Sequence, residues 1–265
     1  MTLAAHVTGD GPGLVLLHGF TGSAAAWGAH LGAFATGRRV IAVDLPGHGG
    51  SPAPDGGLWD VADAVATTVA RCGVDRADWL GYSLGGRVAM HVALRHPDRI
   101  DRLVLESASP GLDDAAARTA RAADDDALAD TLERDGLTAF VDRWLAQPLF
   151  ASQARLPAPV RAAERARRLA ASPAGLAAAL RAMSVGRQEP LLAWLAHVRR
   201  PTLLLAGADD AAYRAHAARM AAVLPDARIV VVPAAGHTTH LENPAAFRAA
   251  VDVFLAPASS RAGAA

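Results

Sequence analysis

The chain is 265 residues long, with 26 basic and 26 acidic side chains and a formal net charge of zero. A neutral chain has no global field that would attract nucleic acid or an anionic membrane, so neither is expected as a partner. The single cysteine, Cys72, excludes an internal disulfide and a cysteine-rich metal site, and the absence of lysine excludes a Schiff-base lysine.

The N-terminal segment 1–10 lacks the basic and then apolar stretch of a signal peptide. No apolar run in the chain reaches the length of a membrane span. We therefore expect a cytoplasmic protein without membrane insertion. The length suits one large α/β domain that carries an insertion.

The first half of the chain alternates apolar runs with helical stretches, which is the rhythm of a mostly parallel sheet flanked by helices. The predicted strands are 14–17, 39–43, 77–80 and 103–106. Each ends in small or polar residues. Ligands of open α/β sheets bind outside these carboxyl ends, so the loops that follow the strands are the candidate site.

The strand rhythm stops between residues 111 and 199, where prolines and Gly136 separate several helical stretches. It returns at 201–206 and 228–232, and a last helix is predicted over 244–254. These patterns predict a core formed by 1–110 and 200–256, a helical cap insertion over 111–199, and a disordered tail over 257–265.

A nucleophile elbow is predicted at the segment GYSLG, residues 81–85, between a strand and a helical run. A serine on a sharp strand-to-helix turn needs neighbours with almost no side chain, and Gly81 and Gly85 meet that need. The turn would expose the Ser83 hydroxyl and would place the Leu84 backbone N–H at a helix N-terminus, where developing negative charge is favoured.

A nucleophilic serine needs an imidazole to take its proton and a carboxylate to orient the imidazole. The turn after strand 201–206 offers Asp210, with Asp209 as its rival. The turn after strand 228–232 offers His237, with His240 as its rival. The order serine, acid, histidine is typical of the α/β hydrolases.

Residues 17–20, LHGF, end the strand 14–17 and begin the loop that follows it. The backbone N–H of Phe20 would supply the second half of an oxyanion hole. His18 in this loop and His48 in the turn at 44–49 are interpreted as structural hydrogen-bonding residues rather than bases.

Arg87 lies four residues after Ser83 and so on the same face of the following helix. Its planar fork would bind a substrate carboxylate there, unless it pairs with a structural acid. Residues 161–200 hold eight arginines against two glutamates, which predicts a basic cap over the site. The alternative is a solvated helix face on which Glu164 pairs with Arg168.

Four segments together resemble the α/β hydrolase superfamily over the whole chain, and the resemblance implies its fold. They are 17–20, 44–49, 81–86 and 236–237. A longer match resembles one family in particular, the 2-succinyl-6-hydroxy-2,4-cyclohexadiene-1-carboxylate synthases of menaquinone biosynthesis. This match covers residues 81–87, 105–112, 144–150 and 184–188.

The resemblance implies a carbon–oxygen lyase that removes a proton from 2-succinyl-5-enolpyruvyl-6-hydroxy-3-cyclohexene-1-carboxylate and eliminates pyruvate, with no cofactor and no metal. The implied partner is thus a small polycarboxylate. The implied site residues fall into three groups: the catalytic Ser83, Asp210 and His237; the amides of Phe20 and Leu84; and the substrate-binding Arg87, Arg121, Arg168, Tyr82 and Trp144.

Some of these assignments leave alternatives open. Arg118 and Arg167 stand close enough in sequence to replace Arg121 and Arg168. The family usually has a lysine and an aromatic residue where this chain has Ala212 and Tyr213. Whether the serine oxygen or the imidazole takes the proton directly is left open, as is the oligomeric state.

Two other functions fit the same residues. The first is a carboxylate-recognising serine hydrolase, either an esterase or a carbon–carbon bond hydrolase, with the same triad and Arg87. The second is a non-catalytic binding protein built on a hydrolase fold, against which the intact set of serine, acid and histidine argues.

Overall fold

The computed structural model describes residues 1–256. Seven strands form one sheet in the spatial order β1-β3-β2-β4-β5-β6-β7, parallel except that β1 runs antiparallel to β3. The strands are β1 (Ala5–Thr8), β2 (Gly13–Leu17), β3 (Arg39–Val43), β4 (Ala77–Tyr82), β5 (Ile100–Glu106), β6 (Thr202–Gly207) and β7 (Ala227–Val232).

Nine α-helices lie within the described residues, and the predicted mostly parallel sheet flanked by helices is confirmed. They are α1 (Ala29–Ala35), α2 (Leu58–Arg71), α3 (Leu84–Arg95), α4 (Ala115–Leu145), α5 (Ala158–Leu169), α6 (Pro173–Ala182), α7 (Ala211–Ala221), α8 (Thr239–Glu242) and α9 (Pro244–Leu255). None of the described helices is long and apolar enough to cross a membrane.

The central strands are buried on both faces, which explains why they are continuous apolar runs rather than alternating ones. Along β2, Val15 and Leu17 pack into the core on the side of α2 and α3. The alternate residues Leu14 and Leu16 pack on the opposite side, with α1 and α9. Successive side chains of a strand point to opposite faces, so one run fills both cores.

Strand β1 was not predicted from the sequence. Residues Ala5–Thr8 lie at the edge of the sheet, and three of the four are exposed, so they form no apolar run. Their position is set by backbone pairing with β3. In this pairing Ala5 lies opposite Val43.

In the described chain, all regular secondary structure between β5 and β6 is helical. It consists of α4, α5, α6 and two 3₁₀ segments, Pro148–Arg155 and Trp194–His197. Helix α4 is interrupted at Gly136, where φ is 81°. The division into a core and a cap at residues 110 and 199 stays a prediction. The predicted disordered tail over 257–265 lies outside the described residues.

The turn from β4 to α3 depends on two close backbone approaches. Ser83 has a φ of 50°, a left-handed conformation that costs energy for a residue with a side chain. A Cβ on Gly81 would collide with the Gly85 carbonyl, and a Cβ on Gly85 would collide with the carbonyls of Leu17 and His18. These glycines therefore let α3 start directly against the end of β2.

Gly85→Ala is expected to lower the free energy of unfolding by about 2–3 kcal/mol, because the new methyl group would meet backbone atoms that have no room to move. Gly32→Ala is the matched control. Gly32 is a helical residue of α1 with nothing near its missing Cβ, and alanine there should be neutral or stabilising by up to about 1 kcal/mol. Urea unfolding measures both, and equal stability of the two variants would contradict the close approach.

Candidate active site

The three side chains predicted as a triad meet at the carboxyl ends of three parallel strands. The His237 Nε2 lies 3.0 Å from the Ser83 Oγ, and the His237 Nδ1 lies 2.9 Å from the Asp210 Oδ2. The carboxylate can only accept, so Nδ1 carries the proton and Nε2 is free to accept the serine hydroxyl. Asp210 also caps α7, because its Oδ1 accepts the Tyr213 N–H.

Neither rival of these residues reaches Ser83. Asp209 forms an exposed ion pair with Arg155 at 2.5 Å. His240 is buried against Glu106, with its Nδ1 2.8 Å from a carboxylate oxygen. The structure thus brings Asp210 and His237 to the serine, while their catalytic roles stay a prediction.

Two backbone amides stand near the serine as candidate oxyanion donors. Leu84 is the first residue of α3, and Phe20 lies in the loop after β2. Within residues 1–256, neither backbone N–H has a hydrogen-bond acceptor. Unpaired amides at a helix start favour a negatively charged oxygen.

His18 and His48 connect the Phe20 loop to the turn after β3. The Nδ1 of His18 donates to the Gly19 carbonyl at 2.8 Å, and its Nε2 accepts the Leu45 N–H at 3.0 Å. His48 accepts the Thr21 N–H. Burial lowers the pKa of His18 to about 4 and that of His48 to about 3, so both rings are neutral hydrogen-bonding residues.

A cavity of about 230 Å³ opens over Ser83 and His237. Four of the five predicted substrate-binding residues line it: Tyr82, Arg87, Arg121 and Trp144. The buried indole N–H of Trp144 has no hydrogen-bond partner within residues 1–256, and the ring packs on Phe20 at a centroid distance of 5.0 Å.

Arg168 lies elsewhere, in a smaller adjoining chamber of about 40 Å³ that it shares with its rival Arg167. Tyr82 and Phe150 line both cavities and stand between them. Arg168 pairs with Glu164 at 2.8 Å, as the alternative interpretation of the cap expected. Helix α5 holds both partners one turn apart.

Arg87 is the most unusual charge in the cavity. Its Nε donates to the Gln188 Oε1 at 2.5 Å, its Nη2 is buried without a partner, and no acid among the described residues forms an ion pair with it. Burial lowers the pKa of Arg87 to about 10, which leaves the guanidinium charged at neutral pH. A half-buried cation without a counterion among the described residues is a candidate binding site for an anion.

Arg121 has a different environment. Its Nε donates to the buried carboxylate of Asp125 at 2.9 Å, and the Ser184 hydroxyl donates to the same carboxylate at 2.6 Å. The rival Arg118 donates to the carbonyls of Leu112 and Asp113. Of the two arginines, Arg121 is the one that lines the cavity.

Sequence reasoning missed several residues of this cavity. Tyr213 packs its ring 4.4 Å from that of His237, and burial raises the pKa of its phenol. His216 and Asp125 also line the cavity. Tyr213 lies where the sequence departs from the family pattern, and this departure is the only sequence signal that could have pointed to it. Nothing in the local sequence marks His216 or Asp125 as cavity residues.

The chain is similar to known proteins over most of its length, and these similarities confirm the predicted α/β hydrolase fold. A family model described as alpha/beta hydrolase fold matches residues 12–244. A Klebsiella pneumoniae protein named 2-succinyl-6-hydroxy-2,4-cyclohexadiene-1-carboxylate synthase is 38% identical over 262 residues, which cover 97% of this chain and 100% of that protein.

Two solved structures are also similar over nearly the whole chain. The structure of MenH from S. aureus has a TM-score of 0.90 and 32% identity, covering 96% of this chain and 97% of that one. The structure of a thermophilic esterase from Thermogutta terrifontis with malate bound has a TM-score of 0.84 and 28% identity, covering 96% and 92%.

The low pKa of His18 makes stability depend on pH. Unfolded histidine takes up a proton near pH 6.5, whereas folded His18 does so only near pH 4. Between these values the unfolded state binds the additional proton, so this residue should lower the free energy of unfolding by about 3 kcal/mol in total as the pH falls.

His18→Asn should therefore flatten the pH dependence of unfolding between pH 6.5 and 4, as measured by urea titrations at several pH values. The exposed His197 provides the control, because His197→Asn should leave the slope unchanged. A His18→Asn slope equal to that of the wild type would show that the buried ring is not held neutral.

Proposed function

We propose that this chain is a working lyase, because it belongs to the 2-succinyl-6-hydroxy-2,4-cyclohexadiene-1-carboxylate synthases, a family of menaquinone biosynthesis with the α/β hydrolase fold. Its substrate would be 2-succinyl-5-enolpyruvyl-6-hydroxy-3-cyclohexene-1-carboxylate, from which pyruvate is eliminated. One observation supports the proposal most directly: the half-buried Arg87, which has no acidic partner among the described residues, lines the same cavity as the hydrogen-bonded pair of Ser83 and His237.

The proposed substrate carries three carboxylates, on the ring, the succinyl arm and the enolpyruvyl arm. A pocket for it needs cations at separate points, and arginine binds a carboxylate with two parallel hydrogen bonds. Arg87 and Arg121 supply two such points in the cavity, and Arg168 supplies a third in the adjoining chamber. Trp144 adds an unpaired N–H donor.

The first chemical step is removal of the ring proton next to the succinyl carbonyl. Asp210 orients His237, and His237 takes the Ser83 proton as the serine oxygen takes the proton from carbon. The electron pair of the broken C–H bond moves into the carbonyl and forms an enolate. The amides of Phe20 and Leu84 would donate to the enolate oxygen, which is the task of an oxyanion hole.

In the second step the enolate electrons return through the ring. The new double bond forms as the C–O bond to the enolpyruvyl group breaks, and that group leaves as the enolate of pyruvate. The leaving enolate takes up on carbon one proton, equal to the one that His237 gained in the first step and now gives up, so that pyruvate forms and the imidazole returns to its neutral state. No acyl-enzyme forms, and no water is consumed.

A second candidate is hydrolysis of a carboxylate-bearing ester by the same triad. The similarity to the Thermogutta terrifontis esterase favours it, because that structure holds malate, a dicarboxylate. In this reaction Ser83 would attack an ester carbonyl, and the same two amides would stabilise the tetrahedral intermediate.

A pyruvate-release assay separates the two candidates. Purified protein given the enolpyruvyl substrate should release one pyruvate per product without incorporating oxygen from solvent, and Ser83→Ala should lower kcat by about 10³-fold or more while the fold persists. Rapid cleavage of simple esters together with no pyruvate release would instead establish the hydrolase.

Arg87→Ala should lower kcat/KM by about 2–4 kcal/mol, mainly through a higher KM, because a buried substrate carboxylate would lose its partner. Steady-state kinetics on the enolpyruvyl substrate measure this. Arg187→Ala is the control, since Arg187 is exposed and pairs with Asp126 outside the cavity. Similar KM values for the wild type and Arg87→Ala would remove the carboxylate assignment.

A further inference from the structure

The residue that contacts the Arg87 guanidinium is an amide where an acid would be the ordinary partner. Gln188 is 2% exposed, and its Oε1 accepts from the Arg87 Nε at 2.5 Å. We propose that Gln188 is a positioning residue that fixes Arg87 at the cavity while leaving its positive charge for a substrate carboxylate. This inference rests on the proposed function, since it names how that site selects an anion.

The other arginines around the site show what Gln188 avoids. Arg121 donates to the carboxylate of Asp125, and Arg168 donates to that of Glu164. In both cases an acid on the same helix already binds the guanidinium, and Glu164 is shared between Arg168 and Arg167. Arg87 alone of these three lacks such a partner among the described residues.

The difference has a direct effect on ligand binding. A carboxylate at the position of the Gln188 side chain would form a charge-assisted bond with Arg87, and an incoming substrate anion would have to compete with it. An amide oxygen supplies one hydrogen bond and therefore orients the guanidinium without cancelling its charge. The partial burial of Arg87 then reduces the screening of that charge by water.

The fold holds the amide in one place. Gly111 has a φ of 101°, and a Cβ on this residue would press against the Gln188 Nε2. The glycine therefore leaves room for the amide. The segment before Gln188 forms a turn, in which the Arg187 N–H donates a hydrogen bond to the Ser184 carbonyl.

Binding of 2-succinylbenzoate tests the proposal without turnover. This stable aromatic dicarboxylate carries the ring carboxylate and the succinyl arm of the proposed product, and isothermal titration calorimetry measures its affinity. Gln188→Glu should weaken binding by about tenfold or more, and Gln188→Met by about threefold, because the first cancels the charge and the second only frees the guanidinium. In turnover, Gln188→Glu should raise KM with kcat little changed.

Gln147→Glu is the matched control. Gln147 lines the same cavity but has no hydrogen bond to Arg87, so its substitution adds the same charge without neutralising that arginine. It should weaken binding less than Gln188→Glu does. Equal losses for the two glutamate variants, or for Gln188→Glu and Gln188→Met, would overturn the proposal.

A double-mutant cycle checks that Gln188 acts through Arg87. Arg87→Ala should weaken binding of the probe, and adding Gln188→Met to it should cause no further loss. Independent, additive losses would mean a packing role and would contradict the proposal, as would full affinity of Arg87→Ala.

These outcomes are separate from the pyruvate assay. If the wild type released no pyruvate but Gln188→Glu still weakened binding of the probe, the lyase function would fail and the inference would stand. If pyruvate were released and Gln188→Glu bound the probe as the wild type does, the inference alone would fail.

Discussion

The close contact of Gly85 with the end of β2 is the constraint on which the site depends. It lets α3 begin directly against the carbonyls of Leu17 and His18, with Ser83 held in a left-handed conformation. The Leu84 amide thereby stands near the Phe20 loop, and Arg87 follows one turn along the same helix. The candidate nucleophile, the candidate oxyanion donors and the candidate anion site are thus all positioned by one close backbone contact, and we expect an atom added there to displace them together.

Charge in the cap is distributed in a way that the residue count does not reveal. Arg165, Arg181 and Arg187 pair with acids at the surface, where each ion pair contributes little to stability. The excess of arginine is therefore a solvated face over much of its extent rather than a uniform basic lid. Among the three arginines proposed to bind substrate, Arg87 is half-buried and pairs with an amide, whereas Arg121 and Arg168 pair with acids of the described residues. Under the proposed function, selectivity for anions would then depend more on this one amide partner than on the number of bases.

The sequence predicted the features that local backbone geometry determines. The elbow, the loops after the buried strands, and the preference for Asp210 and His237 follow from turns within a few residues, and the structure brings those side chains together. Edge strand β1 escaped prediction because its exposed residues form no apolar pattern. The placement of Arg168 in a second chamber depends on how α5 packs, and the contact of Arg87 with Gln188 joins residues 101 positions apart. No periodicity or spacing encodes either of these.

Elimination and ester hydrolysis use the same serine, histidine and acid, so the triad does not select between them. The group that lies next to the serine oxygen decides: a carbonyl carbon is attacked, whereas a hydrogen on the carbon beside a carbonyl is removed. Under the proposed function, a fixed cation one helical turn from Ser83 would determine which part of a polycarboxylate reaches that oxygen. The cation would need a partner that orients the guanidinium without neutralising it, and Gln188 is suited to this task. Reaction type on this fold would then be set by where the anion binds, with the nucleophile left unchanged.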